Sequence, residues 1–262
     1  MHIVVPLKQV FDPNTPPVQL RIGADGRSLE LPAGASPIMN GYDANAVEAA
    51  IALKEKHGGS VTVLSVGEEA CKNALRRAIG MGADRAVHLA GPGGLAADSA
   101  LIAALICAAL RKLPRPDLIL CGRQASDTDA GQVPLLLAAA LDLPAVSPVR
   151  AISLDSGVAI VDRIADGGVQ RLSVRLPALL GVSNEINKPR PTSLKGVMLG
   201  KKAEIPSWTA GELGVGEARP ALVLRRLSFP PVPDALAEII SGVTGAAAGM
   251  ALAERLRQEK MI

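Results

Sequence analysis

The sequence predicts an α/β protein: a twisted parallel sheet with helices on both faces, then a hairpin and an extended C-terminal arm. Three observations lead there. Short apolar runs alternate with helix-length segments as far as Leu141, the pattern of βαβ units. The runs are nearly continuous in apolar residues, as strands buried on both faces are. After Pro144 the texture changes, first to strand-like segments around a Gly-containing turn, then to a polar stretch bracketed by prolines. The expected division is 1–183 for the α/β domain and 184–262 for the arm.

Residues 2–7 read as a buried strand. The stretch from there to Pro37 is rich in Pro, Gly and Asp and reads as loops with one hairpin. Asp43 is placed to cap a helix running to Lys56, with Ala46, Val47, Ala50, Ile51 and Leu53 on its apolar side. Gly58 and Gly59 stop it, and 60–66 is the next strand. A helix over 69–79, a strand over 85–89, a long apolar helix over 97–113, a strand over 117–121 and a helix over 133–141 follow. Segments 159–163, 170–175 and 178–183 read as strands, the first two joined through Asp166, Gly167 and Gly168. Residues 184–208 form the arm, with Pro189, Pro191 and Pro206. A C-terminal helix is expected within 234–258, interrupted by Gly242 and Gly245 and separated enough to pack on another chain.

Composition removes several function classes. Aromatics are 2% of the chain, so the stacking platforms of single-strand nucleic-acid binders are missing. A net charge of +3 is too small and too scattered for a DNA footprint. Cys71, Cys107 and Cys121 form no CxxC pair, which fits a reducing, cytoplasmic compartment. The chain enters a strand at once, without a signal-peptide pattern, and its longest apolar run is too short to span a bilayer. His2, His57 and His88 are far apart in sequence and outside any nucleophile or metal motif. No catalytic constellation is recognisable, which favours a binding or carrier role.

The most informative segment is Cys121-Gly-Arg-Gln-Ala-Ser-Asp-Thr-Asp-Ala-Gly-Gln132. It joins an expected buried strand to an expected helix, the position where nucleotide phosphates settle in α/β proteins. It is neither a GxGxxG fingerprint nor a Walker A loop. Asp127 and Asp129 have the spacing of an acid/base or metal pair, but a helix-capping role is the stronger reading. Arg123 and Gln124 are placed either to reach a phosphate or adenine edge, or to bridge the loop. Gly122 and Gly131 let the backbone approach a ligand. In the arm, Leu194, Val197, Met198 and Leu199 are apolar residues among Lys195, Lys201 and Lys202, the composition of a transient docking site.

Five ordered motifs resemble the beta subunit of electron transfer flavoprotein, over nearly the whole chain. They are Pro6-Leu-Lys-Gln-Val10; Asn40-Gly-Tyr-Asp43 followed by Ala46-Val-Glu-Ala-Ala50 and Leu53-Lys-Glu55; Met81-Gly-Ala-Asp-Arg85; Gly122 to Gln132; and Asn187-Lys-Pro-Arg190. The resemblance implies a Rossmann-like fold of the adenine nucleotide alpha hydrolase type. It also implies a heterodimer whose alpha subunit carries the redox-active FAD and receives the C-terminal arm. The beta subunit would hold AMP in the housekeeping branch, or a second FAD with NADH as donor in the bifurcating, FixA-like branch. Electrons would come from an acyl-CoA or other flavoprotein dehydrogenase and pass to a quinone oxidoreductase or ferredoxin.

Matching positions place the nucleotide against Pro6, Asn40, Gly41, Tyr42, Asp43 and Val66. The long loop adds Gly122, Arg123, Gln124, Ala125, Ser126 and Asp127, then Thr128, Asp129, Ala130, Gly131, Gln132 and Val133. The partner-docking loop maps onto Leu194, Val197, Met198, Lys201 and Lys202. Gly41 stands where the family usually has Pro, and Pro191 where it often has Tyr. The docking loop looks like the housekeeping branch, whereas Gly122-Arg-Gln and the extended C-terminus lean toward the other. A stand-alone nucleotide-binding module or ATP-using enzyme is the reading from another class, and no phosphate-splitting residues support it.

Overall fold

Strand and helix alternation has the expected consequence. A computed structural model describes residues 1–216, 220–231 and 237–262. They fall into two compact units, Met1–Leu227 and Ser228–Ile262. The principal strands of the first unit are β1 (His2–Pro6), β2 (Ser60–Gly67), β3 (Arg85–Ala90), β4 (Leu118–Gly122), β5 (Ala145–Asp155), β6 (Val158–Ala165), β7 (Gly168–Arg175), β8 (Ala178–Val182) and β9 (Ser207–Thr209). They form one sheet in the order β7-β6-β5-β8-β4-β1-β2-β3-β9. Every neighbouring pair from β5 to β9 in that order is parallel; β5, β6 and β7 pair antiparallel.

Four helices cover the sheet: α1 (Gly41–His57), α2 (Lys72–Met81), α3 (Ser99–Lys112) and α4 (Val133–Leu141). Successive side chains on a strand point to opposite faces, and the two cores divide accordingly. Ile3, Val5, Leu118 and Leu120 join Ala46, Ala50 and Leu75 of α1 and α2. Val4, Ile119, Cys121 and Leu64 join Leu105, Ile106 and Leu137 of α3 and α4. Gly58 at φ 73° and Gly82 at φ 129° end α1 and α2 in backbone conformations that favour glycine.

Most expected elements are present, with informative differences. Between Gln9 and Met39 lie two short antiparallel pairings, Gln9–Val10 with Ile38–Met39 and Arg21–Ile22 with Leu29–Glu30. Asp166 and Gly167 turn the β6–β7 hairpin as expected. β5 was not foreseen. It carries Pro148 and little continuous apolar character, because it lies where the sheet changes from parallel to antiparallel pairing. The arm is not wholly extended either. Residues Leu194–Lys202 form α5, whose N-cap Ser193 accepts a hydrogen bond from Gly196 N at 3.0 Å. The apolar spacing 194, 197, 198 is helical and was obscured by the flanking prolines.

In the second unit, α6 (Gly245–Gln258) is capped by the Thr244 hydroxyl. Arg255 pairs with Glu238 at 3.2 Å and with Glu259 at 3.0 Å. Gly242 lies before this helix, and the first residues expected to be helical fall outside the described ones. Among the described residues no helix is long and apolar enough to cross a membrane.

Leu120 lies at the centre of the sheet and is fully buried. Leu120→Ala is expected to lower stability by about 2–5 kcal/mol through lost contacts and a residual cavity. A lower urea midpoint at unchanged slope checks this, and an unchanged midpoint would contradict the assigned core.

Candidate functional site

The strand order reverses beside β1: the chain proceeds from β1 to β2 and β3, then returns to β4 on the other side. Ligands of open α/β sheets bind at such a switch point, outside the carboxyl ends of the strands. A cavity of about 520 Å³ lies there. Its walls include the ends of β1 (Pro6, with Leu7 and Lys8 following), β2 (Val66) and β4 (Cys121, Gly122).

Of the residues the sequence nominated, Pro6, Asn40, Asp43, Val66, Gly122, Gln124, Ala125, Thr128, Ala130, Gly131, Gln132 and Val133 line this cavity. Gly41, Tyr42, Arg123, Ser126, Asp127 and Asp129 do not, and several of them hold the loop in shape. The Lys8 ammonium sits 2.8 Å from both Asp127 carboxylate oxygens, with its hydrogen bond to Oδ1. Gln124 Nε2 donates to Asp129 Oδ1 at 2.7 Å. Asp129 adopts φ 49°, and its N–H closes a turn on the Ala125 carbonyl. The Arg123 guanidinium lies over the Tyr42 ring, 5.1 Å from its centroid.

The capping expectation for Asp127 and Asp129 is therefore corrected. Each has a partner elsewhere, and the N-cap of α4 is Gln132, without a side-chain hydrogen bond. A loop of this length has internal polar demands that outcompete the helix end. By contrast, the N-terminus of α3 is closed by Asp98, which accepts from Leu101 N at 2.9 Å. Of these two helix ends, α4 is the one without a side-chain cap, and it starts at the cavity wall.

Asp43 also differs from its expected role. The N-cap position of α1 is Asn40, and Asp43 lies inside the first turn. Its carboxylate accepts Lys8 N at 2.7 Å and Gly122 N at 3.1 Å, which ties the exits of β1 and β4 together. A Cβ on Gly122 would overlap this carboxylate, so glycine is required there by close approach. The Asn40 amide donates to the Gln124 carbonyl at 2.8 Å and accepts from Ser126 N at 3.2 Å. Burial pushes the Asp43 carboxyl up to about 7, against the hydrogen bonds from Lys8, Asn40 and Gly122 and the Lys8 charge, which favour ionisation. Burial likewise raises the neighbouring Cys121 thiol.

Besides Leu7 and Lys8 after β1 and Ile102 and Ile106 of α3, two parts of the wall were not foreseen. Gly93, Gly94 and Leu95 come from the β3–α3 connection, with Ser99 opening α3, and Leu222, Val223 and Leu224 come from beyond the arm helix. The first had a readable signal, Gly91-Pro-Gly-Gly94 between a strand and a helix. The second had none, because its apolar residues stand in a segment without periodicity. The donor set fits an adenine nucleotide. The amide side chains of Gln124 and Gln132 and the Thr128 hydroxyl supply polar contacts, and glycines permit close approach. Ile102, Ile106 and Leu222 offer an aliphatic wall for a planar ring.

The docking candidates lie on α5. Leu194 is 88% exposed, and Val197, Met198 and Leu199 are also exposed. Lys201 and Lys202 occupy the last turn, where cations favour the helix dipole. His88 is a satisfied core residue, bonded to Ser207 Oγ at 2.8 Å and the Gly67 carbonyl at 2.9 Å. Cys71, Cys107 and Cys121 are buried free thiols.

Fold and site together define an α/β protein with a nucleotide-sized cavity at a topological switch point. Sequence comparison is consistent with this and more specific. The electron transfer flavoprotein domain profile matches residues 33–213. The electron transfer flavoprotein subunit beta of Thermoanaerobacterium thermosaccharolyticum is 38% identical over 216 residues, 82% of this chain and 81% of that one. The caffeyl-CoA reductase-Etf complex subunit CarD of Acetobacterium woodii is 33% identical over 269 residues, spanning both chains completely. Protein FixA of Azorhizobium caulinodans is 34% identical over 222 residues, 82% of this chain and 77% of that one. The chain belongs to the electron transfer flavoprotein family, as a beta-type subunit.

The Asp43 brace makes a pH prediction. Between its ordinary value of 3.8 and about 7 the folded protein keeps a proton that the unfolded chain releases. Its favourable contribution is thus present at low pH and lost as pH rises through about 7. In urea titrations from about pH 5 to about pH 8, Asp43→Asn is expected to gain stability relative to wild type as pH rises. A constant difference across that window would contradict the assignment.

Proposed function

We propose that this chain is the nucleotide-holding and partner-docking subunit of an electron-transfer heterodimer. The observation that carries this reading is the switch-point cavity meeting the uncapped start of α4. The phosphate end of an adenine nucleotide sits toward the N–H groups of Gln132 and Val133, where the helix dipole favours an anion. Gly122 and Gly131 keep the wall free of side chains, and the aliphatic wall takes the ring. AMP is the ligand of the first reading. Its role is structural: it fills the space between the β1 and β4 exits that Asp43 braces. The redox-active FAD belongs to the alpha subunit and supplies the electron-accepting group of the complex.

Donor docking is assigned to α5. Leu194, Val197 and Met198 give an apolar contact, and Lys201 and Lys202 add charge at its edge. The donor is an acyl-CoA or other flavoprotein dehydrogenase, and the acceptor a quinone oxidoreductase or ferredoxin.

A second reading places a second FAD in this cavity, with NADH as donor. Two observations favour it: the aliphatic wall extends to Leu222–Leu224, and the CarD relative aligns through the C-terminus. Denaturing the purified heterodimer and counting released flavin decides between them. One flavin with one AMP is the expected outcome, and two flavins would replace it with the second reading. Leu194→Ala is expected to weaken electron transfer from the dehydrogenase by about 2 kcal/mol in kcat/KM, with thermal stability unchanged. Unchanged transfer kinetics would remove the docking role from α5.

A further inference from the structure

We propose that Arg190 is a positioning residue for partner docking: clamped between Glu48 and Glu55 of α1, it sets where α5 begins and thereby presents Leu194. The inference rests on the docking role assigned to α5 and goes one step behind it. Arg190 Nε lies 2.8 Å from Glu48 Oε2, and Nη2 lies 2.9 Å from Glu48 Oε1. On its other edge Nη1 lies 2.6 Å from Glu55 Oε1, and Nη2 lies 3.0 Å from Glu55 Oε2. The Arg190 backbone N–H adds a bond to Glu48 Oε2 at 3.0 Å. A planar guanidinium meeting two carboxylates along two edges fixes orientation as well as position, which an ammonium cannot do.

The chain around the clamp is stiff. Pro189 and Pro191 flank Arg190 and fix their own φ angles. Three residues before it, Asn187 exchanges hydrogen bonds with Asn45: Asn45 Nδ2 donates to the Asn187 carbonyl at 2.9 Å, and Asn187 Nδ2 to the Asn45 carbonyl at 3.0 Å. Beyond it only Pro191 and Thr192 precede Ser193, the N-cap of α5. The clamp is therefore one short rigid span from Leu194, the most exposed of the candidate docking residues. At its other side α5 is seated on α2. Gly196 faces the Gly80 carbonyl, and Gly200 faces the Arg76 carbonyl, so closely that a Cβ at either glycine would overlap. The seat holds the middle and end of the helix, and the clamp holds its start.

A helix presented in one orientation binds without first losing conformational freedom. Removing the clamp returns part of that cost to the binding step and leaves the chemistry untouched. The loss expected from ordering a short segment is about three- to tenfold in affinity.

The test uses the whole heterodimer. In Arg190→Ala, amide exchange of residues 193–199 is expected to rise while that of β1, β4 and α1 stays at wild-type rates. With a purified acyl-CoA dehydrogenase as the probe, KM is expected to rise about three- to tenfold at unchanged kcat. Arg190→Lys is expected to recover little of either effect, because one ammonium cannot serve both carboxylates. The exchanged pair Arg190→Glu with Glu48→Arg is expected to recover part of both. Wild-type exchange at 193–199 in Arg190→Ala, or a fall in kcat without a rise in KM, would overturn the proposal. Leu194→Ala separates the two levels. If it raises KM and Arg190→Ala does not, the clamp fails and docking by α5 stands; if neither raises KM, docking by α5 fails.

Discussion

The carboxylate of Asp43 is the contact on which the site depends. β1 and β4 pair through Ile3 and Val4 where the sheet order reverses, and the cavity opens beyond their carboxyl ends. One oxygen of Asp43 takes the N–H after β1, and the other takes the N–H at the end of β4. Both donors are main-chain groups, so the brace fixes the backbone and leaves the neighbouring side chains free to face a ligand. Burial works against the charge, and two N–H donors with the nearby Lys8 work for it. The balance leaves this group far more easily protonated than a surface carboxylate.

The brace stands on α1, and so does the base of the arm. Asn40 and Asp43, at its first turn, shape the cavity walls. Asn45, Glu48 and Glu55, further along, hold Asn187 and Arg190. This 17-residue helix and its N-cap thereby fix the cavity wall and the base of the arm relative to each other within the first unit. Electron transfer flavoprotein beta-type subunits are electron-transfer components rather than enzymes with substrates of their own. In this chain the polar clusters hold loops in place.

Periodicity made the sheet legible. Ile3 to Val5 and Leu118 to Cys121 are apolar without interruption because both faces of those strands are covered. The strand-to-helix turn at Gly122 to Gln132 was legible for the same reason, being a long polar interval between two apolar runs. What escaped was set by tertiary pairing. β5 carries exposed and half-buried residues and draws its place from two neighbours of opposite direction. Asp127 and Asp129 have the spacing of helix caps, yet Lys8, 119 residues away, takes one and Gln124 takes the other. Asp43 reads as a cap, and its true partners are backbone groups that sequence cannot bring near. The turn at Gly91–Gly94 follows the same strand-to-helix logic and joins the cavity wall through Gly93 and Gly94.

The proposed adenine-nucleotide site is the switch-point cavity. Photolabelling the nucleotide-depleted heterodimer with an azido-adenine nucleotide, followed by peptide mapping, tests it most directly. Label is expected on peptides covering 91–106 or 122–134 of this chain, suppressed by excess AMP. Label confined to other segments, or insensitive to AMP, would contradict it.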